Sequence, residues 1–184
     1  MAGTDEVGRG CLFGPVFAAA VILDPTRPIR GLDDSKALTP EKRTVLDARI
    51  RERAVAWAVA GLDSFQIDRI NIYQASRVAM KQAIAKLFVL PDFVYVDALT
   101  LDIEIPQRAL IKGDARCASI AAASIVAKVA RDSALVRWSA IYPEYALASN
   151  KGYCAPEHFA GLDLHGPTAH HRYSFAPVGQ ARLF

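Results

Sequence analysis

Four acidic side chains in this 184-residue chain have the chemistry to hold hard cations. Asp5 and Glu6 are adjacent and followed by Gly8 and Gly10; Asp97 ends the apolar run Phe93-Val94-Tyr95-Val96; Asp132 follows Arg131, four residues after Lys128. Singly, each has an ordinary reading. An acidic pair before glycines suits a solvated turn, an acid closing a strand suits a cap, and an acid four residues after a lysine suits a helix ion pair. Neighbouring strand residues point to opposite faces, so Asp5 and Glu6 reach one site only where their strand ends or bends, which glycines allow. Gathered together, four carboxylates repel one another and stay anionic only beside cations. All-oxygen ligation suits Mg²⁺ or Mn²⁺. Two such ions can activate a water, steady a leaving oxygen and offset phosphate charge, which is the chemistry of phosphodiester hydrolysis.

The elements that must position these acids follow from hydrophobic period and capping residues. The acidic hexapeptide from Asp5 to Gly10 leads into apolar residues 16–23, a strand buried on both faces, and suggests a hairpin-like start. Thr39-Pro40-Glu41 opens a helix with a Thr cap, a first-turn proline and an acid at the positive end of the dipole; it runs to about Arg53. Residues 54–62 predict a third strand. Asp63 or Ser64 then caps a helical region whose apolar positions Ile72, Ala75, Val78, Ala79, Ala83 and Leu87 recur at helical spacing. A short β-rich run ends at Asp97, and another over about 103–111 carries Pro106, typical of an edge or bulge. Alanine-rich residues 116–140, without Gly or Pro, predict a long helix. From Tyr142 on, the chain reads as loop with one short helix over about 155–164. The order of elements predicts an α/β fold with a mixed sheet flanked by helices.

The composition, 52% hydrophobic and 22% charged, is that of one ordinary globular domain rather than a disordered chain. The longest apolar stretch, 11–23, is broken by Gly14-Pro15 and too short to span a bilayer, and no cleavable leader opens the chain, so a cytoplasmic location is expected. Cys11, Cys117 and Cys154 are odd in number and scattered, which implies neither a disulfide framework nor a zinc site. A net charge of +3 permits a polyanionic partner without identifying one. The tail mixes basic and aromatic residues (Lys151, Tyr153, His158, His165, His170, His171, Arg172, Tyr173), as a solvated surface or a nucleic-acid face would.

The stretch Thr4-Asp5-Glu6-Val7-Gly8-Arg9-Gly10, with Gly14-Pro15-Val16 after it, resembles the opening signature of the ribonuclease HII family. Further matches follow in order: Asp34-Ser35-Lys36, Val96-Asp97, Lys112-Gly113-Asp114, Ser119 to Asp132 (SIAAASIVAKVARD), Tyr142-Pro143, Lys151-Gly152-Tyr153, and Gly166-Pro167-Thr168 through His171-Arg172 to Ser174-Phe175-Ala176-Pro177-Val178. These blocks span nearly the whole chain. The resemblance implies a ribonuclease H-like mixed five-stranded sheet flanked by helices, in a single domain over 1–184. Its catalytic core would cover about 1–140, and a small C-terminal helical extension over about 141–184 would wall the substrate groove. It implies a monomeric endoribonuclease using two divalent ions, Mg²⁺ or Mn²⁺. Such an enzyme hydrolyses the RNA strand of RNA–DNA hybrids and cuts 5′ of single ribonucleotides embedded in duplex DNA, leaving 3′-hydroxyl and 5′-phosphate ends.

Residue by residue, the resemblance assigns the catalytic, metal-binding carboxylates to Asp5, Glu6, Asp97 and Asp132. Gly8, Arg9 and Gly10 match a loop that contacts the ribonucleotide's 2′-hydroxyl and adjoining phosphate, and Tyr153 a tyrosine that packs on the next sugar. Ser35, Lys36, His171, Arg172 and Ser174 match phosphate-side contacts. A site built for the 2′-hydroxyl leaves its own polar groups unpaired over deoxyribose, at roughly 1–3 kcal/mol per lost hydrogen bond. By spacing alone Asp114 rivals Asp132 as fourth ligand, or caps the long helix; the resemblance favours the Arg131-Asp132 step. Three features depart from the family pattern. The first strand has little length ahead of Asp5, Ala98 stands where glycine is usual, and Ser149-Asn150 precede Lys151 where a histidine is common. Other readings are a ribonuclease HIII-like nuclease without single-ribonucleotide cutting, a non-catalytic duplex-binding module with salt-dependent affinity, or a phosphatase of small esters. Gly8-Arg9-Gly10 together with Tyr153 argues against the last two. Residues 180–184 read as a short apolar-ended tail, either a binding segment or a frayed end, and the sequence leaves open whether a sliding-clamp partner is recruited.

Overall fold

Five strands make one mixed sheet in the order β3-β2-β1-β4-β5. They are β1 (Ala2–Val7), β2 (Val16–Ile22), β3 (Ala56–Leu62), β4 (Val94–Asp97) and β5 (Gln107–Leu110). The first three pair antiparallel, while β4 runs parallel to β1 and β5 parallel to β4. This computed structural model describes residues 1–33 and 35–181, so Asp34 and residues 182–184 of the expected tail segment lie outside the described residues.

Strand alternation splits the core between the two faces of the sheet. Val16, Ala18, Ala20 and Ile22 of β2 pack with Ile67, Ala75, Ala79, Met80, Ala83 and Ile84 of α2 (Ser64–Ala85). The intervening Ala19 and Val21 face Leu46 and Ile50 of α1 (Pro40–Arg53) and Ala122, Ala123, Ile125, Val126 and Ala127 of α3 (Ala118–Ser139). α3 crosses β1 very closely. A side chain at Gly3 would meet the Ser119 backbone at 2.2 Å, so only glycine admits this approach.

Local chemistry explains the helix ends. Thr39 caps α1 by accepting from the Lys42 N–H, with Pro40 in the first turn. Asp63 and Gln66 form a reciprocal capping box on α2. The helical period over 64–87 concealed a break at Asn71 (φ 65°, ψ 162°), whose side chain accepts from the Gln74 N–H and recaps the second half. β5 is an edge strand, but with only four residues it is shorter than the expected 103–111.

Beyond Tyr142 the expectation of one short helix is corrected to three α-helices among the described residues: α4 (Leu147–Asn150), α5 (Pro156–His165) and α6 (Ala176–Ala181). α4 is a single turn between the left-handed residues Ala146 and Lys151, too short to show a period. This region packs back on the loop between β1 and β2. Leu12 and Phe13 bury themselves with Ala134 and Leu135 of α3 and with Tyr145, Leu147, Leu162 and Val178. Among the described residues no helix is long and apolar enough to cross a membrane.

Candidate active site

Sheet register brings two of the carboxylates together. β1 and β4 pair from Ala2↔Val94 to Thr4↔Val96, so the next residues in register are Asp5 and Asp97. Same-register residues of parallel neighbours share a face about 5 Å apart. β1 ends one residue beyond Glu6, and there Glu6 turns into the same crevice. Asp5, Glu6 and Asp97 line one cavity of about 490 Å³ with Ser35, Lys36, Arg43, Asp114, Ser124, Lys128 and Tyr153. Crevices at the C-terminal ends of parallel strands are where open α/β sheets bind ligands.

Each acid is held in place. Asp5 is almost fully buried and its Oδ1 accepts from the Glu6 N–H at 2.7 Å. Burial, then the Glu6 and Asp97 charges, hold its carboxyl well above the usual range, although the Ser124 hydroxyl and the Glu6 N–H oppose this. Burial likewise raises Glu6, against the pull of Arg9, whose Nη1 lies 3.4 Å from Oε1. The other oxygen, Oε2, is buried with no hydrogen-bond partner among the described residues. Asp97 is aimed by the Gly113 N–H, which donates to its Oδ1 at 2.7 Å. Two buried acids whose anions are disfavoured and one orphaned oxygen fit a divalent cation.

Asp132 is placed differently. Its Oδ1 accepts from Lys128 Nζ at 2.9 Å, and it faces a neighbouring cavity that shares Arg43 and Lys128 with the first. Among the described residues no three His, Cys, Asp or Glu side chains are arranged as a ready-made ion cage. Asp114, the rival by spacing, lines the first cavity directly. It does not cap α3, whose N-cap is Cys117, but accepts from the Ala115 N–H.

The expected substrate residues divide into surface and support. Gly8 takes φ 91°, and a Cβ there would strike Arg131 Nε at 2.2 Å; Gly10 has open space around it. Arg9 is exposed on its way out of the loop. Tyr153 is partly exposed on the cavity wall, and burial pushes its hydroxyl up to about 12, so the ring is neutral at any working pH. The Arg131 guanidinium stacks 5.5 Å from that ring and donates to Lys151 O at 2.9 Å. Lys36 is exposed on the cavity rim, whereas Ser35 is buried, its hydroxyl 2.8 Å from that of Ser124 beneath Asp5. Of the tail residues expected on the phosphate side, two are buried. His171 and Arg172 have no exposed surface, and Arg172 instead braces the carbonyls of Arg9 and Gly14. Ser174 is exposed but donates to Asp68. Ser124, Arg43 and Arg131 were not singled out from sequence. Ser124 and Arg131 lie inside the matching block 119–132, but Arg43 carries no local signal.

The sheet order, with carboxylates at the ends of the central parallel strands, defines the ribonuclease H-like class of α/β nuclease. The profile of the family "Ribonuclease HII" matches residues 2–178. The chain is 62% identical over 178 residues to the ribonuclease HII of Solibacter usitatus, covering 97% of this chain and 78% of that one. Among solved structures, the ribonuclease H2 of Pyrococcus horikoshii superposes with a TM-score of 0.85 at 25% identity, covering 99% and 96% of the two chains. The ribonuclease HII solved with PCNA from Archaeoglobus fulgidus gives 0.81 at 25% identity, covering 98% and 96%. The chain belongs to the ribonuclease HII family. It is a metal-dependent ribonuclease H hydrolase, an endoribonuclease acting on RNA–DNA hybrids.

Proposed function

We propose that this chain, acting in the cytoplasm as a monomer, also cuts 5′ of single ribonucleotides embedded in duplex DNA, leaving 3′-hydroxyl and 5′-phosphate ends. The observation that carries the reading is the placement of Asp5, Glu6 and Asp97 on one cavity whose rim holds Tyr153, beside the Gly8-Arg9-Gly10 turn. Asp5, Glu6 and Asp97 would hold two divalent cations, Mg²⁺ or Mn²⁺, with Asp132 as fourth ligand from α3. Such ions, when bound, supply Lewis acidity toward the phosphate and a lowered water pKa for in-line attack.

The chain's own groups do the rest. The Gly113 N–H and the Glu6 N–H aim two carboxylates at the cavity before any ion arrives. The open side of Gly10 admits a sugar against backbone, where a buried polar partner separates ribose from deoxyribose. Tyr153 offers a neutral aromatic face to the neighbouring sugar, stiffened by Arg131 behind it. Lys36, Arg43, Lys128 and Lys151 line the two adjoining cavities and give a duplex backbone a positive track. The region beyond about 141 forms the wall that carries Tyr153.

A second assignment has its own support. Asp114 lines the cavity directly while Asp132 is paired with Lys128, so Asp114 is the alternative fourth ligand. Comparing Asp114→Asn with Asp132→Asn by Mn²⁺ titration and turnover separates them: the true ligand loses both, the other variant neither.

The test of function uses three labelled duplexes, with one ribonucleotide, with a full RNA strand and with DNA alone, each in Mg²⁺, Mn²⁺ or chelator. Cleavage of the first two in metal only is expected. Cutting of the DNA control, or equal cutting in chelator, would refute the proposal.

A further inference from the structure

We infer that Asp68, on α2 and outside the cavity, is a positioning residue for ribose recognition; the inference rests on residues 8–10 being the ribose-facing turn. Residues 8–15 leave the sheet between β1 and β2, so they must be held from outside it. On one side Gly152 O accepts from the Leu12 N–H at 2.8 Å and from the Phe13 N–H at 3.4 Å. On the other, His170 O accepts from the Gly14 N–H and Leu12 O from the Arg172 N–H, both at 2.8 Å. The buried Arg172 guanidinium then reaches Gly14 O at 3.0 Å and Arg9 O at 2.8 Å. A single side chain therefore fixes the carbonyl at the middle of the Gly8-Arg9-Gly10 turn.

Asp68 is what pins the segment that carries Arg172. Its carboxylate accepts from the Tyr173 N–H at 2.8 Å, the Ser174 N–H at 3.0 Å and the Ser174 hydroxyl at 2.6 Å. These are the two residues directly after Arg172. A carboxylate bound by two successive backbone N–H groups and a hydroxyl is a charge-assisted anchor, firmer than a neutral one. The same helix holds the segment upstream of His170 through Ser64, whose hydroxyl donates to Ala169 O at 3.2 Å. Position thus passes from Asp68 to the 173–174 backbone, to Arg172, and to Arg9 O. These contacts end on the Arg9 carbonyl, and the exposed Arg9 guanidinium reaches Glu6 only at 3.4 Å, a weak surface contact, so Asp68 acts on the turn and leaves ion binding alone.

The test compares Asp68→Ala, Asp68→Asn and Ser174→Ala in the full chain by hydrogen exchange, thermal midpoint, Mn²⁺ titration and kinetics on the single-ribonucleotide duplex. For Asp68→Ala we expect faster exchange across residues 8–14 and a KM raised about tenfold with kcat within about threefold, the scale of one lost charge-assisted bond. Mn²⁺ affinity stays at the wild-type value. Asp68→Asn keeps one acceptor oxygen and falls between. Ser174→Ala keeps both backbone bonds and shifts exchange in the same direction by less; it carries the test if Asp68→Ala does not fold. Unchanged exchange over 8–14 overturns the inference, as does a loss of kcat and KM together in proportion to lost thermal stability. Exchange and Mn²⁺ titration need no nucleic acid, so failure of the Asp68 link is distinguishable from failure of the single-ribonucleotide reading, which wild-type inactivity on that duplex alone reports.

Discussion

Asp5 illustrates how a functional residue opposes the fold that holds it. Its carboxyl is raised above the unfolded value of 3.8 by burial and by Glu6 and Asp97. A raised acid contributes stability below its unfolded pKa and loses it as pH rises through the folded value, so near neutral pH the ion-free protein is weakened by this residue. Asp5→Asn should therefore raise the thermal midpoint in chelator at pH 7 to 8 while abolishing cleavage. Adding Mg²⁺ should stabilise the wild type and not the variant, which calorimetry with and without the ion would read. Asp97→Asn should lower turnover by more than the roughly 10–100-fold that follows loss of a partner one layer further out, with duplex binding kept within several-fold in a gel-shift assay. Tyr153→Ala should lose activity selectively on the single-ribonucleotide duplex and spare long hybrids.

At the scale of elements, the close crossing of α3 over β1 makes Gly3 a sharp test. Gly3→Ala forces a methyl into the Ser119 backbone and should lower unfolding free energy by about 3 kcal/mol in a urea titration. Ala98 is the reverse case. It takes φ 51° in the turn that follows Asp97, so Ala98→Gly should gain about 1 kcal/mol by relieving the left-handed backbone. The departure from family pattern noted in the sequence is thus a local backbone matter at the end of β4. The long alanine helix, the capped α1 and the buried strands were legible because period and caps act over neighbouring residues. The break at Asn71 was not, since a side chain that recaps a helix mid-run leaves the apolar spacing intact. Nor were the short tail helices, whose single turns follow from tertiary packing. Asp5, Glu6 and Asp97 were named by motif, but nothing local to residue 132 tells whether its carboxylate faces Lys128 or an ion. The burial of His171 and Arg172 was equally hidden, because a basic residue in a polar tail reads as exposed until a core such as that around Phe13 closes over it.

For the molecule as a whole, that last core carries a pH dependence. The Thr168 N–H donates to His171 Nδ1, so His171 presents its proton on Nε2 to His158 Nε2 at 3.1 Å, while His158 Nδ1 faces Tyr153 O at 3.0 Å. Both rings are thereby neutral. Burial pushes His171 from 6.5 down to about 3 and lowers His158 as well. A depressed base contributes stability above its unfolded pKa and loses it as pH falls, here across the window from 6.5 toward 3. The thermal midpoint should decline over that window, and less steeply in His171→Asn; equal slopes in the two proteins would contradict the assignment. Topology adds a consequence for biosynthesis. β1 is the central strand of the sheet and pairs with β2 directly after it, yet its other neighbours, β4 and the close-crossing α3, come much later in the chain. Ribosomes releasing this chain in order leave Asp5 and Glu6 waiting until β4 and α3 have emerged. A nascent chain stalled before α3 should neither take up Mn²⁺ nor nick a hybrid, so activity arrives only with the helix that closes over β1.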